Sequence, residues 1–286
     1  MISDITLGQF FPGSSPIHRL DPRSKILISI VFIVSVFIAD NPAAFLFLTL
    51  SALCLVLVSG ISFKVVLKGI KPIIIIVLIT ALINVFMTKG EGEPLLSFWV
   101  INVYTEGIVR AVFMALRVIV LIIGSSILLT YTTSPISLTD GLESLLSPLK
   151  LIKVPVHTFA MMMSIALRFI PTLVEETEKI MNAQKSRGAD FTSGGLIKRA
   201  KSLIPILIPL FVSSFKRAEE LAVAMESRCY RGDKNRTKLV KLQYRLLDIA
   251  FFALTIIFLA AMLAFVILPV KLGGEGVLFE VLFYRI

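Results

Sequence analysis

Histidine, cysteine and tryptophan are scarce here: two, two and one among 286 residues, with only 17% of the chain charged. His18 and His157 stand far apart in different surroundings, which argues against zinc and other resident metals and against His-based catalysis. Cys54 lies in an apolar run and Cys229 in a basic region, and one pair at that separation is no disulfide framework. Both are expected as free thiols. No glycine is followed by a lysine, which excludes a Walker A phosphate loop, and there is no G-x-S-x-G nucleophile elbow. The chain reads as a non-enzyme that binds no cofactor of its own, so any ATP that drives it is bound elsewhere.

What is present in excess is apolar surface. Hydrophobic residues make up 56% of the chain and the mean hydropathy is +0.90, too much to hide in one soluble core. The chain belongs in a lipid bilayer. A net charge of +10 raises nucleic acid as a partner, but the basic residues sit between long apolar runs and concentrate in a few segments. Positive-inside topology accounts for them better. The N-terminus, "MISDITLGQFFPGSSPIHRLDPRSKI", mixes acidic and turn residues before a late basic cluster, unlike a cleavable signal.

A helix needs about 20 largely apolar residues to cross the hydrocarbon core, with a range of roughly 17 to 25. Five stretches qualify: Ser24 to Ala39, Ala43 to Ser59, Ile70 to Met87, Ile108 to Thr130 and Leu246 to Leu268. The "DNP" at 40 to 42 makes a hairpin of the first two, because Pro42 can start a helix but not continue one. Lys64, Lys68 and Lys71 share one helical face before the third span and predict an interfacial turn of helix. The fold class is therefore an all-α integral membrane protein with about five transmembrane helices.

Basic residues set the orientation. Arg19, Arg23 and Lys25 precede the first span, whereas the loop at 88 to 107 has only Lys89 against Glu91, Glu93 and Glu106, with Trp99 and Tyr104 as interface anchors. Residues 131 to 245 hold eighteen of the 29 lysines and arginines. The expectation is a multi-pass protein of the cytoplasmic membrane, N-terminus inside and C-terminus outside. Three regions follow: membrane spans in 1 to 130, a cytoplasmic or interfacial helical module in 131 to 245, and a last span with its tail in 246 to 286. The apolar runs at 154 to 170 and 203 to 215 are read as half-buried helices along the inner leaflet, each continuing into a charged helix.

Those charged helices end on a repeat. Aligned on Arg187 and Arg228, "MNAQKSRGAD" at 181 to 190 and "AVAMESRCYRG" at 222 to 232 share Ala183 and Ala224, and Ser186 and Ser227, with Glu178 and Glu219 matched just upstream. A single Arg before Gly188 would be an ordinary helix end, its charge facing the carbonyls for roughly 0.3 to 1 kcal/mol. Two copies, each flanked by small residues, suit an open guanidinium that enters a groove and makes paired hydrogen bonds to a carboxylate. Cys229 stands where the first copy has Gly188, so Gly232 is expected to supply the left-handed stop. Within the spans, Arg110 snorkels, while Arg117 fits either an intramembrane functional charge or a pairing that holds the bundle together. Met161, Met162 and Met163 fit either plain core or a greasy face that repacks against several partners.

"HRLDPRSKI" at 18 to 26, "AQKSRGAD" and "AMESRCYRG" together resemble the signatures of the transmembrane T component of energy-coupling factor (ECF) transporters, a family related to the membrane subunit of cobalt and biotin uptake systems. The resemblance implies a non-catalytic scaffold with a module of long coupling helices. Its partners would be two ABC-type ATPases, identical or different, holding ATP and Mg, and a small substrate-binding membrane protein, the S component. Ser186, Arg187 and Gly188, with Ser227, Arg228 and Cys229, would be the ATPase-coupling motifs, and Met161 to Met163 a candidate S-component contact. ATP binding would change the separation of the motif helices and reorient the S component for uptake of vitamins or metal ions. A conventional ABC importer permease would show one EAA-type coupling segment, which is missing, and a secondary transporter would show repeated halves with midplane carboxylates.

Overall fold

The computed structural model describes residues 10–88, 96–98, 101–191, 195–230, 232 and 242–267. Lys89, Glu91, Glu93 and Trp99 of the predicted outer loop lie outside that set. In chain order the helices are α1 (Pro22–Ile38), α2 (Pro42–Ser59), α3 (Phe63–Ile70), α4 (Ile74–Met87), α5 (Thr105–Ser125), α6 (Pro135–Leu145), α7 (Val156–Ser186), α8 (Leu196–Ser227) and α9 (Leu246–Ile267). A 3-10 turn, Lys71–Ile73, joins α3 to α4, and a π-helical segment, Ser126–Tyr131, extends α5. Leu96–Phe98 pairs antiparallel with Ile101–Val103 ahead of α5. The all-α membrane class expected from the sequence is what the chain adopts.

The chain divides into two compact units, one from Gln9–Gly141 with Leu242–Ile286, the other built on Leu142–Lys241. In the first, α1 starts where Asp21 accepts the Arg23 N–H at 2.9 Å and Pro22 occupies the first helical position. Pro42 opens α2 in the same way, as its position after "DN" predicts. Phe32 and Val36 of α1 pack with Phe45 and Leu48 of α2, Val120 of α5, Ile127 and Leu128 of the π segment and Met262 of α9. Gly124 lets α5 come this close, since a Cβ there would overlap the Phe32 ring. Small residues do this work between membrane helices, where packing rather than water exclusion brings helices together.

α4 is the opposite case, with none of its fourteen residues buried; Ile75, Leu78, Ile79 and Met87 are all exposed. Such a helix is tenable only in an apolar solvent, because it leaves its oily side chains outward while its own ladder satisfies its backbone. Lys64, Lys68 and Lys71 are exposed just before it, whereas Val66 and Ile70 are buried, so α3 is two-faced as its lysine spacing predicts.

Among the described residues, five helical segments are long and apolar enough to cross a membrane: Pro42–Ser59, Phe63–Met87, Thr105–Tyr131, Val156–Ser186 and Leu246–Ile267. This set differs from the sequence-based one in two members. α1 has 17 residues, the lower limit of the working range. α7, read from sequence as a half-buried run along the leaflet that continues into a charged helix, is indeed one helix of 31 residues. Its first part, however, is long and apolar enough to count as a candidate span, with an apolar window that continues beyond Pro171. An interior proline costs a ladder bond and usually bends a helix. Here α7 persists through Pro171, and α8, 32 residues long, persists through Pro205 and Pro209.

Candidate functional site

In the second unit, α7 and α8 end on the two Ser-Arg motifs, and the two ends are built alike. Arg187 is the C-cap of α7 with φ −87° and ψ 8°, and Arg228 that of α8 with φ −89° and ψ 16°. The Gly188 N–H donates to the Lys185 carbonyl at 2.9 Å and the Ala189 N–H to the Gln184 carbonyl at 3.0 Å. Forty-one residues on, Cys229 donates to Glu226 at 2.9 Å and Tyr230 to Met225 at 3.0 Å. Both sets are the paired bonds of a Schellman cap, which satisfies carbonyls the helix itself leaves free. Ser186 and Ser227 turn their hydroxyls back onto the Asn182 and Ala224 carbonyls. Arg187 and Arg228 are exposed, and among the described residues neither makes an ion pair.

The repeat corrects one expectation. Cys229 itself takes the left-handed conformation, φ 57°, at the position where Gly188 has φ 85°. Gly232 also has a positive φ, 79°, but α8 has already been closed three residues earlier. The cap geometry thus overrides the usual avoidance of this region by residues bearing a Cβ, at a cost of roughly 1 to 2 kcal/mol. Cys229→Gly should relieve about 1 kcal/mol of it, so amide exchange at the Tyr230 N–H should slow by about fivefold. An unchanged rate would mean that the α8 end carries no such strain.

The arms meet upstream of the caps. Glu176 of α7 accepts the Ser213 hydroxyl on one carboxylate oxygen and Arg217 Nη2, at 2.7 Å, on the other. This contact escaped the sequence reading; its signal was there, because residues 176 and 217 are separated by the same forty-one positions as the two motif arginines. Met161, Met162 and Met163 lie on the first half of α7, with Met162 and Met163 exposed and Met161 partly covered. In the same unit His157 Nδ1 contacts Glu143 at 2.8 Å.

The N-terminal "HRLDPRSKI" has a structural task in the first unit. Lys25 is 2% exposed and donates from Nζ to the Thr132 carbonyl at 2.7 Å, Thr133 Oγ1 at 3.2 Å and the His18 carbonyl at 3.3 Å. Asp248, fully buried at the start of α9, accepts the Asp21 and Arg245 N–H groups, each at 2.8 Å. Arg23 lies over the Tyr244 ring. His18 Nε2 donates to the Phe11 carbonyl, and Nδ1 lies 2.6 Å from the Ser15 hydroxyl. Burial pushes its imidazole below the usual histidine range, against the pull of that carbonyl.

Arg117 has partners in the first unit. Its Nη2 donates to the Ala39 carbonyl at 2.7 Å, its guanidinium lies 5.2 Å from the centroid of the Phe45 ring, and Asp40 is 3.9 Å away. It therefore closes the C-terminal end of α1 and steadies the turn into α2, while Asn41 ties that turn to the Phe265 carbonyl of α9. Among the described residues no group of three or more His, Cys, Asp or Glu side chains is placed to hold a metal ion.

Apolar helices with outward-facing side chains, together with a unit whose two long helices end in matching arginine caps, define a multi-helix integral membrane protein. Residues 13–239 match the cobalt transport protein family, CbiQ, and the chain belongs to that family. Proteins named energy-coupling factor transporter transmembrane protein EcfT are similar over most of their length. The one from Clostridium kluyveri is 58% identical over 85% of this chain and 90% of its own. Those from Ruminiclostridium cellulolyticum and Bacillus subtilis are 52% and 48% identical, over 91% and 93% of this chain and 96% and 99% of theirs.

Proposed function

We propose that this chain is the transmembrane component of an ECF-type importer, a non-catalytic scaffold that seats one ABC-type ATPase on each Ser-Arg motif. An S component in the membrane would select the cargo, a vitamin or a transition-metal ion. The observation that carries the reading is the duplicated helix end. Two exposed arginines, presented on the same backbone cap, suit two similar grooves lined by carboxylates. The long α7 and α8 supply stiff levers between such grooves and the membrane, with ATP and Mg held in the partners. Met161, Met162 and Met163 form the candidate S-component contact, since methionine repacks readily against different surfaces. Purification from native membranes should yield two ATPase protomers and one small membrane protein per chain. A chain that is recovered alone under mild extraction, yet supports uptake, overturns the reading.

The basic residues of the unit containing the motifs support a cytoplasmic side for it, with the N-terminus inside and the C-terminus outside as the proposed orientation. A single cysteine at Lys185, in a background lacking Cys54 and Cys229, should resist impermeant thiol reagents in intact cells and react after lysis. Reaction from outside would reverse the orientation and make α7 a full span that exports its motif.

A further inference from the structure

We infer that Glu176, Ser213 and Arg217 form a pin that fixes where α7 and α8 cross, at equal distances from the two motif arginines. The inference deepens the scaffold reading and rests on it only for its consequence in transport. Arg187 and Arg228 are forty-one residues apart, and so are Glu176 and Arg217. From the ion pair to its motif, each helix therefore runs eleven residues, about 16 Å at 1.5 Å per residue. The described contact joins equivalent positions of the two copies, so a shift along either helix alone would make the two arms unequal.

At the contact itself the repeat places unlike charges at equivalent positions, Glu176 on α7 and Arg217 on α8. The contact is also well made. Both oxygens of Glu176 are engaged, the Arg217 link is 2.7 Å, and the two side chains are only 21% and 34% exposed. Charge-assisted bonds of this length outlast ordinary surface pairs. Thr172, the equivalent of Ser213, preserves the hydroxyl in the other copy. Glu176 and Arg217 are positioning residues, acting through the helices that bear Arg187 and Arg228.

The test uses two levels. In the isolated subunit, spin labels on Lys185→Cys and Glu226→Cys, themselves equivalent positions, report the separation of the arm ends in a Cys54→Ala, Cys229→Gly background. Glu176→Gln and Arg217→Met should each broaden the distance distribution, and Glu176→Arg combined with Arg217→Glu should narrow it again. In the assembled transporter the single variants should keep both ATPases bound while substrate accumulated per ATP hydrolysed falls by about fivefold, the lower end of ordinary coupling. The charge swap should restore that ratio. An unchanged distribution in both singles, or uncoupling that the swap does not rescue, overturns the pin. The first measurement needs no ATPase, so a chain that fails to bind ATPases would sink the scaffold reading and leave the pin to be judged by distance alone.

Discussion

With Arg187 and Arg228 both replaced by alanine, the membrane subunit is expected to emerge from detergent extraction folded and without its ATPases. Each arginine, on the proposed docking reading, buries its guanidinium against a partner carboxylate. Truncation leaves that carboxylate buried and unpaired, at a cost of about 2 to 5 kcal/mol per site. Either single variant should therefore hold one ATPase firmly and the other weakly, with transport reduced. Arg→Lys should fall between, because an ammonium keeps the charge and loses the paired geometry. The caps themselves should survive alanine, since their bonds run from backbone N–H groups to backbone carbonyls. If the arginines served only the helix ends, their loss would cost at most about 1 kcal/mol and assembly would persist. ATPase recovered per membrane subunit, compared across wild type, singles and double, decides the matter. Full recovery with the double variant removes the motifs from docking.

The second large effect is expected at Asp248. Asp248→Ala leaves the Asp21 and Arg245 N–H groups without their acceptor inside a fully buried site. At roughly 1 to 3 kcal/mol for each orphaned donor, the loss is about 2 to 6 kcal/mol. It also removes a negative charge that faces buried Lys25. The thermal midpoint of the purified subunit should fall well below that of the wild type, and yield from membranes should drop. Asp248→Asn, which keeps one oxygen for one donor, should lie between. A midpoint unchanged in the alanine variant would mean that this cluster does not hold α9 to the start of α1.

Much of this was legible in the sequence because it depends on local pattern. Hydropathy located α2, α4, α5 and α9, Pro42 marked a helix start, and the Ser-Arg repeat marked the ends of α7 and α8. The reach of α7 as a candidate span was less legible, because the apolar run at 154 to 170 is short by itself and the residues that lengthen it lie beyond Pro171. Lys25 shows a different limit. Counting charges makes it one more basic residue flanking the first span, yet it is buried under three oxygen atoms. A count carries sign and position along the chain, and burial depends on what folds over the residue. Cys229 in the left-handed region was hidden for a similar reason, since residue preference pointed to Gly232 while the cap bonds selected Cys229. The partner of Arg117 was illegible because its acceptor, the Ala39 carbonyl at the end of α1, is distant in sequence.

The matching caps hide a difference that bears on what the two ends can tell apart. Immediately before the shared Ser-Arg, the first carries Lys185 and the second Glu226, both exposed. Backbone shape is common to both ends while the flanking charge differs in sign, so on the proposed docking reading the chain presents two plugs of one gauge in unlike surroundings. Two unlike partners could each be sorted to their own end by repulsion from the wrong one, without any change in the part that grips. Two like partners would sit in unlike fields, and the assembly would lose its symmetry before any nucleotide arrived.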